Sequence, residues 1–241
     1  MNILAIGAHG DDIEVQCGGT LAKCAARGDK VFMCVVTDGR GRPKGNPDEI
    51  AKVRHQESQN SADIIGAELV WMGIPDGGLK PTDEYVAKFV NVIREAQPDV
   101  IITHPAEDYH PDHRYTNQMV LDAAQLARVR NYPHSDLAPY RNPMPIGFMD
   151  GVLGLSFIPE EWVDISDHFE QKAEMLSQHL SQMMPDTYEP DFEMPAPEDN
   201  PFMRMITLQS GYRGMQCGVE YAEAFIWWKS FNRIVPRRLL P

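Results

Sequence analysis

The stretch Ile3-Leu4-Ala5-Ile6-Gly7-Ala8-His9-Gly10-Asp11-Asp12 decides the fold. It opens as an apolar run, Ile3 to Ala8, of strand length and buried on both faces, and then turns abruptly polar. Ile13 to Arg27 reads as a helix closed by Gly28, a residue type that ends helices in a left-handed turn. Lys30 to Thr37, rich in Val and Phe, reads as a second strand.

The same rhythm continues outward. Asp48 to Gly66 is expected to be helical, Leu69 to Met72 a short strand, Asp83 to Gln97 a helix, Val100 to Thr103 a strand and Tyr115 to Val129 a helix. Strands alternating with helices through short connections imply a mostly parallel sheet with helices on both faces, a Rossmann-like α/β fold. In such sheets the ligand crevice lies beyond the carboxyl ends of the strands. Three strands run into polar chemistry there: the first into His9-Gly10-Asp11-Asp12, the second into Thr37-Asp38-Gly39, and the fourth into His104 and then His110-Pro111-Asp112-His113.

The second half is less regular. Pro and Gly punctuate 131–160, Asp167 to Met183 reads as a helix, and 185–200 carries four prolines and six acids without a base. That acidic stretch reads as a surface loop or a wall of the substrate pocket. The expectation is one domain over 1–241, with 1–130 as the α/β core and 131–241 a smaller section that closes the crevice.

Composition narrows the function classes. With 241 residues, 43% of them hydrophobic, the chain can bury a full core, and no apolar run reaches the ~18 residues of a membrane span. Its formal charge of −13 argues against nucleic acid as partner. The basic cluster Lys229, Arg233, Arg237 and Arg238 reads as a solvated tail or subunit contact. Cys17, Cys24, Cys34 and Cys217 lack CxxC spacing and read as reduced, and the N-terminus lacks the basic region of a signal peptide, so a soluble cytoplasmic protein is expected.

Chemistry concentrates in two clusters. His9 and Asp12 lie three apart where a strand turns into a helix; His110 and His113 are also three apart, with Pro111 suited to a first helical turn. Together they offer a His₂Asp site whose open fourth position is the arrangement of catalytic zinc. Asp11, beside a proposed ligand, is then a candidate general base. A dinucleotide-binding reading of Gly7 to Gly10 fails, because Asp11 and Asp12 would face the pyrophosphate and a third glycine is missing.

These residues carry a resemblance. Ala8-His9-Gly10-Asp11-Asp12-Ile13-Glu14 followed by Gly18-Gly19-Thr20, with His110-Pro111-Asp112-His113, resembles the two signatures of the LmbE-like (PIG-L) de-N-acetylases. Arg54-x-x-Glu57, Ile74-Pro75-Asp76-Gly77, Asp164-Ile165-Ser166 leading to Lys172, and Arg213 through Phe225 extend it over nearly the whole chain. The resemblance implies that His9, Asp12 and His113 hold Zn²⁺, or another divalent ion such as Fe²⁺. It makes Asp11 the base that activates the bound water. His110 would stabilise or protonate the tetrahedral intermediate and Asp112 would orient His110, whose pKa is expected to be raised by a carboxylate partner. Arg54 and Asp76 would contact substrate.

The implied function is removal of an N-acetyl group from an amino sugar or its glycoside, by a homo-oligomer without membrane or nucleic-acid partners. An amidase acting on a thiol S-conjugate, or a non-catalytic metal- or sugar-binding relative, is the alternative. Gly10 departs from the family's proline, which frees the turn and allows positive φ. Asp108 stands where some members have a tyrosine, with Tyr109 one residue off.

Overall fold

The computed structural model describes residues 1–41, 45–140, 144–151, 156–183, 200–230 and 239–241. The elements run β1 (Asn2–Gly7), α1 (Asp12–Ala26), β2 (Lys30–Thr37), α2 (Pro47–Ile64), β3 (Glu68–Ile74), α3 (Asp83–Ala96), β4 (Val100–Thr103) and α4 (Pro111–Leu126). They continue with β5 (Ile146–Met149), β6 (Glu161–Asp164), α5 (Phe169–Ser177), α6 (Leu180–Met183), α7 (Pro201–Cys217) and β7 (Ala222–Trp227). The strands form one sheet in the order β3-β2-β1-β4-β5-β7-β6. β1 to β5 are parallel, while β7 pairs antiparallel with both β5 and β6. This is the α/β fold with a mostly parallel sheet that the alternation of strand and helix implied.

Burial explains why β1 lacks polar residues after Asn2. Leu4 and Ile6 face one core with Phe32, Phe89, Val90, Ile93, Met119 and Val120; Ile3 and Ala5 face the other with Ile13, Cys17, Leu21, Met33, Ala62 and Met175. Period-2 alternation therefore divides one strand between two helical layers. Each fully buried large aliphatic contributes about 1.5–3 kcal/mol of transfer free energy.

The second half supplies what periodicity did not show: β5, β6, β7 and α7. α4 also begins four residues before Tyr115, because His110 caps it by accepting the Asp112 N–H and Pro111 fills a first-turn position whose missing N–H costs nothing. The helix expected over 167–183 is broken into a 3₁₀ turn (Ser166–His168), α5 and α6. At the second break His179 is fully buried, and its Nε2 lies 3.0 Å from Glu14 Oε1. Residues 185–199, Arg42, Arg233, Arg237 and Arg238 lie outside the described residues.

The closing section grips α1 from the side. Glu223 on β7 accepts the Gly19 and Thr20 amides at 3.0 and 2.7 Å, and Lys172 donates to the Val15 carbonyl at 2.8 Å and to Glu223. A buried ion pair thus plugs into the hydrogen-bond ladder of α1. Gly19 is required there, since a Cβ would lie 2.7 Å from Ile165 Cδ1.

Candidate metal centre

The order of the sheet reverses at β1, between β2 and β4, and the polar cluster sits just beyond the carboxyl ends of β1 and β4. The turn after β1 delivers His9, Asp11 and Asp12 at the start of α1. The loop after β4 leads into α4, whose first turn projects His113 beside them.

Three donors face one another. His9 Nδ1 lies 3.3 Å from His113 Nε2 and 3.4 Å from Asp12 Oδ2, and His113 Nε2 lies 3.2 Å from Asp12 Oδ1. Ligands about 2.05 Å from a tetrahedral zinc are separated by about 3.3 Å, which matches the spacing of His9 Nδ1 and His113 Nε2, while Asp12 turns one oxygen to each imidazole. Each imidazole also turns its other nitrogen to a carboxylate: His113 Nδ1 to Asp108 Oδ1 at 2.9 Å, His9 Nε2 to Asp76 Oδ1 at 3.4 Å and Asp112 Oδ2 at 3.5 Å. Carboxylates behind ligating histidines fix ring orientation and raise ligand basicity. The donor set fits a divalent cation.

Electrostatics agree. Burial lowers the pKa of His113, but Asp12 and Asp108 outweigh it and carry the group to about 9. His9 is likewise raised against burial by Asp12, Asp112 and Asp76. Asp12 is held well below the carboxylate range, against burial, by His113, His104 and His9. The pocket thus favours positive charge between its donors.

Other combinations of donors lie within reach, namely His9 with His110 and His113, Asp12 with His104 and His113, and His9 with Asp76 and Asp112. His104 Nε2 lies 3.0 Å from the Ala8 amide and 3.2 Å from Asp12 Oδ2. Its ring stacks on His113 with centroids 4.0 Å apart, and burial, then the charge of His113, lowers its pKa to about 4. It buttresses the His113 ring from behind.

Asp11 occupies the N-cap of α1 yet makes no capping bond. Its carboxyl is pushed up first by burial and then by the charge of Asp12, while His179, His9 and Arg54 oppose the shift. Neighbouring aspartates therefore diverge, one fully ionised and one raised toward a base's working range.

His110 corrects one expectation. Its pKa is lowered, first by burial and then by His9 and His113, rather than raised. Asp112 reaches it with its amide, at 3.2 Å from Nδ1, while the Asp112 carboxylate accepts from Gly77 N–H and faces His9. With Nδ1 an acceptor, the neutral ring carries its proton on Nε2.

The site opens into a cavity of about 400 Å³ lined by His9, Asp11, Asp12, His110 and His113 together with Arg54, Asp76, Tyr109, Gln182, Phe202 and Met205; His104 and Asp112 lie outside its lining. Arg54 is buried and donates to the Ser181 carbonyl at 3.2 Å. Asp76 accepts from the Gly41 amide, and its pKa falls to about 2, chiefly through His9. Tyr109 is exposed and its ring lies edge-on to His110 and His113. Gln182, Phe202 and Met205 come from helices far along the chain and had no local motif to announce them.

Gly10 keeps φ outside the left-handed region, so the glycine is not needed for positive φ. Space explains it: a Cβ there would lie 3.1 Å from Ser58 Oγ and 3.3 Å from His179 Nδ1.

A mostly parallel α/β sheet with His9, Asp12 and His113 converging at its switch point, and the Asp11 carboxylate beside them, presents a candidate divalent-metal site. The family profile described as GlcNAc-PI de-N-acetylase (PIG-L) matches residues 4–124. The chain belongs to the PIG-L (LmbE-like) family, and with it to hydrolytic enzymes. It is 31% identical over 233 residues to the diacetylchitobiose deacetylase of Thermococcus kodakarensis, covering 92% of this chain and 80% of that one. To the mycothiol S-conjugate amidase of Streptomyces coelicolor it is 24% identical over 222 residues, covering 75% of this chain and 76% of that one. Among solved structures, the conserved protein TT1542 of Thermus thermophilus superposes with a TM-score of 0.79 at 26% identity, covering 100% of this chain and 98% of that one.

Proposed function

We propose that this chain is a zinc-dependent de-N-acetylase of an amino sugar or its glycoside, an N-acetylglucosamine-type small molecule. The observation that carries the reading is the 3.3 Å spacing of His9 Nδ1 and His113 Nε2, each with an Asp12 oxygen within 3.4 Å, and the uncapped Asp11 carboxylate beside them. These three residues would hold the ion. When bound, zinc supplies Lewis acidity, lowering the pKa of a water toward ~7 and polarising the acyl oxygen.

The protein's own groups do the rest. Asp11 takes the proton of the attacking water, a role its raised pKa suits. His110, neutral and protonated at Nε2, donates to the oxygen that gains charge as the carbonyl becomes tetrahedral. Collapse breaks the C–N bond, and Asp11 returns its proton to the departing nitrogen, leaving acetate and a free amine. Arg54 and Asp76 flank the cavity where sugar hydroxyls would lie.

Buried free thiols at Cys17, Cys24 and Cys34 support a cytoplasmic setting, and among the described residues no helix is long and apolar enough to cross a membrane. Exposed Leu208, Tyr212 and Met215 on α7 offer a surface for the expected homo-oligomer.

Acetate release by zinc-reconstituted protein tests the reading, across N-acetylglucosamine, diacetylchitobiose, N-acetyl amino acids and a thiol S-conjugate amide, with Asp11→Asn as control. Release from a sugar, absent in the control, supports it. Cleavage of the S-conjugate alone moves the substrate assignment, and no cleavage with zinc bound favours a non-catalytic relative.

A further inference from the structure

We propose that Gln182 is a positioning residue for the Asp11 carboxylate, an assignment that rests on the deacetylase reading above. An aspartate at a helix N-cap ordinarily folds back to accept an amide of the first turn, and Asp11 does not. Instead Gln182 Nε2 donates to its Oδ1 at 2.9 Å. The amide cannot be turned the other way, since its oxygen would then face a carboxylate.

The short helix that carries Gln182 is held on both sides by buried groups. His179 Nε2 lies 3.0 Å from Glu14 Oε1; the Ser181 amide and hydroxyl donate to Glu57 at 2.8 and 2.6 Å; Arg54 donates to the Ser181 carbonyl. Glu57 is buried, and burial pushes its pKa up despite the Ser181 bonds. The clamp reaches from α1 and α2 to a four-residue helix whose one side chain turned to the reaction centre is Gln182 among the described residues.

The donor's chemistry suits the task. A lysine or arginine at this place would neutralise Asp11 and hold its charge in an ion pair, weakening it as a base. A neutral amide fixes the rotation of the carboxylate through one oxygen and leaves the other for the water proton. Orientation of a reacting group within a fraction of an ångström is where such a contact acts, on turnover rather than on ground-state binding.

The test replaces Gln182 by methionine, which keeps length and loses the donor, and by glutamate, which keeps shape and substitutes an acceptor. kcat, KM and bound zinc are measured for each variant in the wild-type and Asp11→Asn backgrounds. The expected result is a kcat lowered about tenfold or more, with KM and zinc content unchanged, and no further loss of the residual rate in the Asp11→Asn background. Should Gln182→Met not fold, Gln182→Leu, which also removes the donor without adding a charge, carries the same expectation. An unchanged kcat, a loss confined to KM, or an equal loss in both backgrounds overturns the assignment while leaving the deacetylase reading intact. A wild type that binds zinc and cleaves no amide of the panel overturns both.

Discussion

The N-terminal half of the molecule, β1 to β4 with α1 to α4, supplies every proposed metal donor, whereas the C-terminal half, where β7 runs antiparallel to β5 and β6, supplies none of them. The second half acts at a distance instead. Glu223 and Lys172 plug into α1, Ser181 takes up Glu57, and Gln182 reaches Asp11. Chemistry in the first half gathers in two short motifs, His9 to Asp12 and His110 to His113, that the sheet brings together; in the second half it rests on single residues whose partners lie more than a hundred positions away. Reactivity and its alignment are thereby divided between regions, and mutations on the two sides should fail differently.

The largest effect should come from the first half. Asp12→Ala removes a donor and the charge that raises both His9 and His113, so the protein should fold, fail to retain zinc at limiting free metal, and lose turnover to background. Full zinc content in a folded Asp12→Ala protein breaks the ligand assignment. Asp11→Asn comes next. It should retain zinc and lose about 10²–10⁴ in kcat, because the base is gone and the ligands are not. Metal analysis beside acetate release separates these two adjacent residues.

The second half should show the opposite pattern, with stability lost and chemistry kept. Lys172→Met leaves the Glu223 carboxylate buried with two amides and no cation, a change of the kind that costs about 3–5 kcal/mol. Denaturant unfolding should show that loss, while zinc affinity per folded molecule stays within a few-fold. A stable Lys172→Met protein with weakened zinc would erase the division between the halves.

This division also explains what could be read beforehand. β1, α1, β2 and the DD and HPDH clusters were legible because strand periodicity, the Gly28 stop and i,i+3 spacing are local signals. α4 was placed late, because Pro111 marks its start and periodicity only becomes visible from Tyr115. β7 lies inside the sheet yet carries no periodic signal: Ala222-Glu223-Ala224 mixes a charge into a buried strand, and among the described residues Glu223 finds its partners on α1 and α5. Gln182 had no signal at all, since its partner is 171 residues away. The direction of the His110 shift was misread for a related reason: its carboxylate neighbour in sequence points to His9, and the ring meets the Asp112 amide.

Protons sharpen the same contrast. Without metal, the His113 pKa stands at about 9, above the ~6.5 of an unfolded histidine, so the stabilisation from its charged form is complete below about pH 6.5 and is lost as pH rises through about 9. The metal-free protein should therefore melt at falling temperature across that window. Zinc occupies the place of those protons, so the loaded protein should not show this decline, and zinc binding near pH 7 should release protons to the buffer. Thermal melts of chelated and loaded protein, with proton release read in two buffers of different ionisation enthalpy, check both. A flat metal-free profile would contradict the charge reading of the cluster.

The smallest effect concerns Gly10, where the two halves touch. Its missing Cβ leaves room for Ser58 Oγ at 3.1 Å and His179 Nδ1 at 3.3 Å, contacts tight enough that an added methyl must push one of them aside. Since the backbone there is not in the left-handed region, Gly10→Ala carries no conformational penalty, and its cost is overpacking of about 1–3 kcal/mol. His179 is held by Glu14 and begins the clamp that sets Gln182. Gly10→Ala should thus lower stability modestly and reduce kcat with zinc content unchanged, and the double variant with His179→Ala should lose less stability than the sum of the two single losses. Independent, additive losses from the two substitutions in thermal melts would show that the glycine is not there to admit the histidine.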